Sequence, residues 1–291
     1  MKKCTCILLV IALTALLSAC KPRVVEMPNG ITVAELATLL DGQMVSHDAQ
    51  AEDEIFLHEP NEDRVVALRQ FVRLGPNAAV ALTRAQTAVG TAASFQRGDA
   101  HAESALVGLV YLKWADNKWT VNKRLTGEMT LGSHGEFGQV DVLELRPGLK
   151  ALLIHSGGVW QGSSITRGDV IPLDYSAPHS IASIALESSN EGGCGPETDC
   201  WNASSVVTLK PSTKKGAMPE IHVAQTLSRL ISPFNEPSFE SLDDAAQEAL
   251  RQKYQGDEVP RREEVSHAQL VYKWTGKKFE LKSGKNIVPE I

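Results

Sequence analysis

The chain has 291 residues, of which 29 are basic and 35 acidic, and its formal net charge is −6. This acidic excess argues against nucleic acid or anionic lipid as a partner, because binding to either depends on clustered positive charge. With 43% hydrophobic residues the chain is long enough for one large core or two modest ones, and after residue 20 no apolar stretch approaches membrane-spanning length.

The N-terminal segment has the layout of a secretory signal. Two lysines precede an uncharged apolar run, 7–17, and the small residues Ser18 and Ala19 lead to Cys20. The run is too short to cross a bilayer, which takes about 20 apolar residues. We therefore expect export rather than a membrane-spanning helix.

The end of this segment, Leu17-Ser18-Ala19-Cys20, resembles a bacterial lipobox. The resemblance implies that the Cys20 thiol receives a diacylglyceryl group, that the chain is cut before Cys20, and that the new amine is acylated. Several acyl chains make such an anchor effectively permanent. The alternative is an ordinary secreted protein in which Cys20 is incidental. A free thiol is, however, poorly suited to an oxidising compartment.

The predicted organisation follows from that processing. Residues 1–19 are the signal peptide, 20–30 a lipidated tether, and 31–291 a single β-rich periplasmic domain. Loss of the two signal lysines would bring the formal charge to about −8. By resemblance to enterobacterial sorting rules, Lys21 implies the periplasmic face of the outer membrane, with the inner membrane as the alternative.

The cysteines predict one disulfide. Cys4 and Cys6 leave with the signal and Cys20 takes lipid, so Cys194 and Cys200 remain as a pair in an oxidising compartment. The five residues between them are rich in turn formers, and the bridge would pin a short loop at a gain of about 2 kcal/mol. A zinc or redox site would need closer spacing or a third ligand.

An early helix and an acidic loop are predicted next. Thr32 and Glu35 form a capping box that opens a helix over 33–40, which Gly42 closes. The acidic stretch 46–63 is predicted to be a solvated loop rather than a cation site.

Short β-like runs bounded by Gly, Pro, Asn and Asp dominate the rest of the chain and predict an antiparallel meander. A late helix over 242–254, capped by Ser241 with Asp243 and Asp244 in its first turn, interrupts the pattern before a last hairpin at 268–282. The predicted strands cover 65–74, 78–85, 105–114, 119–123, 140–145, 151–155, 181–187, 206–209 and 221–224.

Two hairpins repeat one pattern at an offset of 160 residues. In each, a tight turn should place two aromatic side chains opposite one another, Trp114 with Trp119 and Trp274 with Phe279. The pattern is loosely similar to blade hairpins of integrin-like propeller proteins, although the Asp-x-Asp-x-Asp-Gly calcium loop of that family is missing. The sequence thus predicts a mainly β fold of antiparallel sheets with two short helices, a sandwich first and a propeller second.

Motifs for catalysis are missing from the sequence. No serine has the flanking glycines of a hydrolase nucleophile elbow, no two histidines lie within ten residues of each other, and there is neither a phosphate-binding Gly loop with Lys nor a Cys-x-x-Cys pair. We predict no catalytic residue, no metal and no cofactor. An enzyme would need a site assembled from residues far apart in the chain.

The segment 155–164 is the most unusual part of the body, because small flexible residues surround one Trp and one Gln. His155, Trp160 and Gln161 are the candidate partner-binding residues, since exposed aromatic side chains anchor interfaces. The alternative is a bulge or hairpin whose Trp160 folds back into the core. Arg167-Gly168-Asp169 is expected to lie in a short turn, and we attribute its resemblance to an adhesion signal to chance. Asn202-Ala203-Ser204 matches the pattern of a glycosylation site, and we also interpret this match as incidental.

Three classes of function remain open. Immunity lipoproteins that guard the periplasm against secreted effectors, and lysozyme inhibitors, are similar to this chain in lipid anchor, β-rich body, acidic charge and lack of catalytic motif. We expect a non-catalytic protein of this kind, bound to an envelope protein and to no nucleic acid. The alternatives are a structural or envelope-assembly lipoprotein and an enzyme with a dispersed site.

Overall fold

The computed structural model describes residues 32–45, 53–59, 62–97, 104–133, 136–254 and 259–290. These residues form two large antiparallel sheets with short helices at their margins, so the predicted mainly β fold is confirmed. The sheets have seven and eight strands. The described residues therefore form a sandwich of two sheets and not the four-stranded blades of a propeller.

The first sheet has the order β1-β2-β3-β4-β6-β7, with β5 paired to β4 beside this path. Helix α1, Val33–Leu39, packs Leu36 and Ala37 against one face of the sheet, where they meet Ile55 and Leu57. The strands are β1 Gln43–Val45, β2 Glu54–His58, β3 Asp63–Gly75, β4 Ala78–Thr91, β5 Ser94–Arg97, β6 Ala105–Ala115 and β7 Lys118–Leu131.

Helix α1 begins at the predicted capping box of Thr32 and Glu35. Its end differs in detail from the prediction, because Asp41, with φ of 54°, takes the left-handed conformation expected of Gly42. Gly42 is required for a different reason. A Cβ at this position would lie 2.4 Å from side-chain atoms of both Ile55 and Leu57.

The second sheet is an uninterrupted meander in which every strand pairs with the next in sequence. One apolar cluster contains Leu145 from the first strand and Phe279 from the last, so the sheet curls around an interior of its own. The strands are β8 Val140–Arg146, β9 Leu149–Trp160, β10 Ser163–Pro172, β11 Ala182–Ser189, β12 Cys200–Lys210, β13 Glu220–Ile231, β14 Arg262–Trp274 and β15 Phe279–Ser283.

A separate apolar layer joins the two sheets. Leu82 and Leu109 of the first sheet meet Leu152 and Ile171 of the second, and all four are fully buried. Tyr111 lies in the same layer, where burial raises the pKa of its phenol to about 12. The described residues thus have a shared core between the sheets, in addition to the core under α1 and the core inside the curled sheet.

Both repeated hairpins have the predicted register. Trp114 pairs with Trp119 across β6 and β7, and Trp274 pairs with Phe279 across β14 and β15. The ring centroids are 5.1 Å apart in the first pair and 5.3 Å in the second, and each pair meets edge to face.

The prediction of a solvated loop over 46–63 is wrong for the part that the structure describes. Glu54 opens β2 and is only 2% exposed, while Ile55 and Leu57 point to the core under α1. The buried Arg84 guanidinium, 3.4 Å from Glu54, compensates the buried carboxylate. Glu54 can be buried in a sheet because Arg84, 30 residues further along the chain, pairs with its carboxylate.

The late helix is shorter than predicted and has a different cap. Helix α2, Pro237–Glu240, ends at Ser241, and helix α3, Asp244–Lys253, starts from Asp243, whose carboxylate accepts a 2.8 Å hydrogen bond from the Ala246 amide. A 3-10 turn, Pro233–Asn235, precedes α2. We call residues 232–254 the helical insertion, since they lie between β13 and β14.

Candidate functional site

The segment around Trp160 forms the turn between β9 and β10. Trp160 pairs with Ser163, and the two residues between them, Gln161 and Gly162, both have positive φ, at 48° and 82°. Two-residue turns of this kind match the twist of the flanking strands and hold the hairpin end in a defined shape. We call Val159, Trp160 and Gln161 the tip.

Trp160 remains on the surface of the molecule. Trp160 is 54% exposed and its neighbour Val159 is 71% exposed. The indole lies over Gly158, where a Cβ would come within 2.5 Å of the ring. The alternative in which Trp160 folds back into the core is therefore wrong, because glycine two residues earlier lets the ring lie flat along the outside of the strand.

A second loop supports the tip from behind. A Cβ on Gly162 would lie 2.4 Å from backbone atoms of Gly192 and Gly193, and one on Gly193 would lie 2.6 Å from the Gln161 carbonyl oxygen. Only residues without side chains allow two backbones to approach this closely. The glycine pair lies in the β11–β12 loop immediately before Cys194, whose sulfur is 2.09 Å from that of Cys200. We call this loop, residues 190–199, the disulfide loop.

Asp199 ties the disulfide loop to the helical insertion. Its carboxylate accepts hydrogen bonds from the Ser232 amide and the Asn235 side chain, each 3.0 Å long, and lies 3.4 Å from the Arg229 guanidinium. The Arg261 guanidinium also donates to two carbonyl groups of this loop. The tip, the disulfide loop and the helical insertion thus form one connected end of the second sheet.

Opposing effects act on the Asp199 carboxyl. Burial alone would raise its pKa, but hydrogen bonds from Asn235 and Ser232 and the nearby guanidinium groups of Arg229 and Arg261 outweigh burial and hold the pKa below its ordinary value. The carboxylate is therefore charged at neutral pH and keeps its partners.

The three candidate residues are not brought together. Gln161 adjoins Trp160 at the tip, whereas His155 is five residues earlier in β9 and points to the other face of the strand. His155 Nε2 lies 3.2 Å from the carboxylate of Asp141, a residue of the neighbouring strand β8. His155 is consequently not part of the surface that presents Trp160.

The Arg167-Gly168-Asp169 tripeptide lies inside β10, so the expected turn is not formed there. Gly168 leaves room for leucine side chains that would otherwise be 2.8 and 2.9 Å from a Cβ, and Asp169 is 8% exposed and accepts a hydrogen bond from Ser180. Asn202-Ala203-Ser204 lies in β12. A buried Asp169 is not available to an adhesion receptor.

One exposed cluster contains serine, histidine and aspartate, but its hydrogen bonds are not those of a catalytic triad. Ser176 Oγ donates to Asp174 at 2.5 Å, and His179 Nδ1 lies 2.9 Å from the Ala177 carbonyl oxygen. Nδ1 must carry a proton to bond that carbonyl and so has no lone pair with which to accept the serine proton. This cluster does not activate Ser176.

The predicted lipid site, Cys20, lies outside the described residues. Within them, no helix combines the length and the apolarity needed to cross a membrane. The same residues contain no group of three His, Cys, Asp or Glu side chains placed to hold a metal ion.

Comparisons of the chain with protein-family models, with curated proteins and with solved structures found no match.

Sequence reasoning located Trp160 and Gln161 but missed the residues that support them. The sequence predicted Asp199 only as part of a turn-rich stretch between the cysteines, and it predicted no role for Gly192 and Gly193. The excess of glycine on both sides of Trp160 and before Cys194 was the available signal, because closely approaching backbones need glycine.

Proposed function

We propose that this protein is a lipid-anchored periplasmic binding protein that holds a protein partner through the tip. The observation that carries the proposal is the exposed Trp160 indole next to the exposed Val159, on a hairpin end supported by the disulfide loop. A large aromatic group held in one orientation loses little conformational entropy on binding, and tryptophan is enriched among the residues that dominate interface energies.

The charge of the chain favours a basic partner. The formal charge is −6 for the whole chain and would be more negative after removal of the signal. Complementary charge accelerates encounter between proteins and makes the rate depend on salt. We propose that the partner is a basic effector or cell-wall hydrolase, which the protein inhibits by binding and without chemistry of its own.

The proposal is tested by comparing three forms of the chain from residue 21 onward, immobilised and exposed to envelope extract. The wild type and a Val206→Ala control, which removes another exposed apolar side chain from the same sheet, should capture the same partner. Trp160→Ala should weaken binding by about 2 kcal/mol, or about 30-fold, while the melting temperature stays within about 2 °C of wild type.

Each contrary result has a clear meaning. Equal capture by Trp160→Ala would show that the tip is not the binding surface. A large drop in melting temperature with Trp160→Ala would show that the indole stabilises the fold, and that the loss of capture reports unfolding.

A further inference from the structure

A pocket of about 390 Å³ opens at the end of the second sheet opposite the tip. It lies among the β8–β9 turn, the loop after β10, the β12–β13 loop and the β14–β15 turn, which all fall at this end of the meander. Small-molecule sites in proteins have volumes of about 300–1,000 Å³ and occur at the mouths of curled sheets. The pocket is thus large enough for a small organic molecule.

The walls of the pocket are mainly apolar. Leu149, Ile181, Met218 and Trp274 line it from four different parts of the sheet. Trp274 is held edge-on by the buried Phe279, with ring centroids 5.3 Å apart, so its indole has a fixed orientation in the wall. An apolar or aromatic group would lose water on entering between these side chains.

The rim of the pocket is positively charged. Lys214 and Lys215 precede the lining residue Gly216, and Lys277 and Lys278 follow the lining residue Trp274 in the next turn; all four lysines are exposed. This local excess of positive charge stands out on a chain whose net charge is negative.

Arg146 brings positive charge into the lining itself. One guanidinium nitrogen donates to the Gly216 carbonyl oxygen at 3.0 Å, which fixes the side chain across the pocket mouth. Among the described residues, the rest of the guanidinium has no carboxylate within ion-pair distance. A guanidinium held in this way presents its remaining N–H groups to a carboxylate, sulfonate or phosphate.

The one carboxylate in the lining is already engaged. Asp174 accepts hydrogen bonds from the Ser176 amide at 3.0 Å and the Ser176 hydroxyl at 2.5 Å. His179 uses Nδ1 to bond the Ala177 carbonyl, so its Nε2 remains as a further polar contact in the lining. The negative charge of Asp174 is outnumbered by Arg146 and the rim lysines, of which Lys278 is paired with Glu280 at 4.0 Å.

We propose that this pocket binds a small amphiphilic anion, with its apolar or aromatic body between Trp274 and Met218 and its acidic group on Arg146. The fixed Trp274 indole and the apolar wall would contact the apolar body of such a molecule. The Arg146 guanidinium and the basic rim would attract its acidic group. The site is separate from the tip and does not depend on its role.

Two dyes that differ by one acidic group test the proposal. Anilinonaphthalene sulfonate carries a sulfonate, and N-phenylnaphthylamine is the same aromatic body without it. Both are titrated by fluorescence into the full chain bearing Cys20→Ala. We expect one site for the sulfonate dye, at least about 10-fold tighter than for the neutral dye, with affinity that falls as salt rises.

Variants assign the binding to this pocket. Ala217→Trp, in an exposed lining position, should fill the pocket and abolish saturable binding, and Arg146→Gln should weaken the sulfonate dye about 10-fold with little effect on the neutral one. Arg146→Lys should recover part of the loss, and Arg167→Gln, an exposed arginine elsewhere on the sheet, should change nothing. Unchanged binding in Ala217→Trp would overturn the site. Equal binding of both dyes, or no effect of Arg146→Gln, would overturn its preference for anions.

Discussion

Arg84 is a charged residue that is buried in the β fold and paired there with carboxylates. It is 3% exposed, and its guanidinium lies 3.4 Å from Glu54 and 2.7 Å from Glu136. Gln86 on the same strand accepts a further hydrogen bond from it at 3.2 Å. Charges taken out of water are tolerated only when they are paired and hydrogen-bonded.

Arg84→Ala is expected to lower the free energy of unfolding by about 3–5 kcal/mol, because it removes a buried guanidinium that pairs with the buried Glu54 carboxylate. Arg262→Ala removes an arginine from an exposed pair with Glu264 and should cost less than about 1 kcal/mol. Urea denaturation of the two variants measures the difference. Similar losses would contradict the assigned role of the buried pair.

The same residues show where sequence reasoning failed. Glu54 follows two acidic residues and belongs by composition to a surface loop, since the arginine that neutralises it is 30 positions further on. Strand β10 was also missed, because Arg167 and Asp169 interrupt its apolar pattern and the burial of Asp169 depends on neighbouring strands. Paired hairpin aromatics such as Trp114 and Trp119 were predictable, because the tight turn alone determines which residues face each other.

At the scale of elements, one end of the second sheet carries the tip, the disulfide loop and the helical insertion. Because the loop and the insertion make few apolar contacts of their own, the stability of this end depends on the polar contacts that join them. The helical insertion packs Phe234 and Phe239 in a small core with Val259, which follows it in the chain. Ser232 and Asn235 attach it to the disulfide loop by hydrogen bonds to Asp199 and to loop carbonyl groups, and Arg261, which follows the insertion, donates to the same loop. Such elements open more readily than the sheets they sit on, and their stability depends on each link.

Asp199→Ala should therefore loosen the helical insertion by about 1–3 kcal/mol, through loss of the hydrogen bonds from Ser232 and Asn235. Hydrogen exchange of the amides of Asp244–Lys253 should accelerate, while exchange in β9 and β10 changes little. Glu197→Ala, which removes an exposed partner of Arg251, is the matched control. Unchanged exchange in the insertion would show that the insertion is held in place without the Asp199 carboxylate.

Acid should have the same effect as the substitution. The pKa of Asp199 in the folded protein lies below its ordinary value of 3.8, so the contribution of the carboxylate is complete above that value and is lost as the pH falls through the folded-state pKa. The exchange rates of wild type and Asp199→Ala should converge at low pH.

At the scale of the whole molecule, the predicted meander is observed, but its division into two sheets was not specified by the local pattern. Short strands with alternating polarity are compatible with several β architectures. The layer that joins the sheets, which includes Leu82 and Leu152, consists of residues far apart in sequence. The pocket at the open end has the same origin, since Arg146 and Trp274 meet only after the second sheet has curled.

The proposed location of the molecule depends on Cys20. Cys20→Ala should move the protein from the membrane fraction to the soluble envelope fraction, because the attached lipid is its proposed anchor. Immunoblots of the separated fractions measure the change. The double variant Cys194→Ala with Cys200→Ala, which removes the disulfide without touching the lipobox, should leave the protein in the membrane. Retention of Cys20→Ala in membranes would contradict lipid anchoring.

The curl of the second sheet makes folding of this part depend on synthesis of the last strand. Leu145 and Phe279 share one apolar cluster, so this cluster stays incomplete until the last strand has been synthesised. Until then, Ile184 and Ile221 would face water in a half-built sheet with an unpaired edge, a form prone to stick to other chains. A chain that stops before β15 should therefore aggregate instead of folding into a shorter version of the same protein.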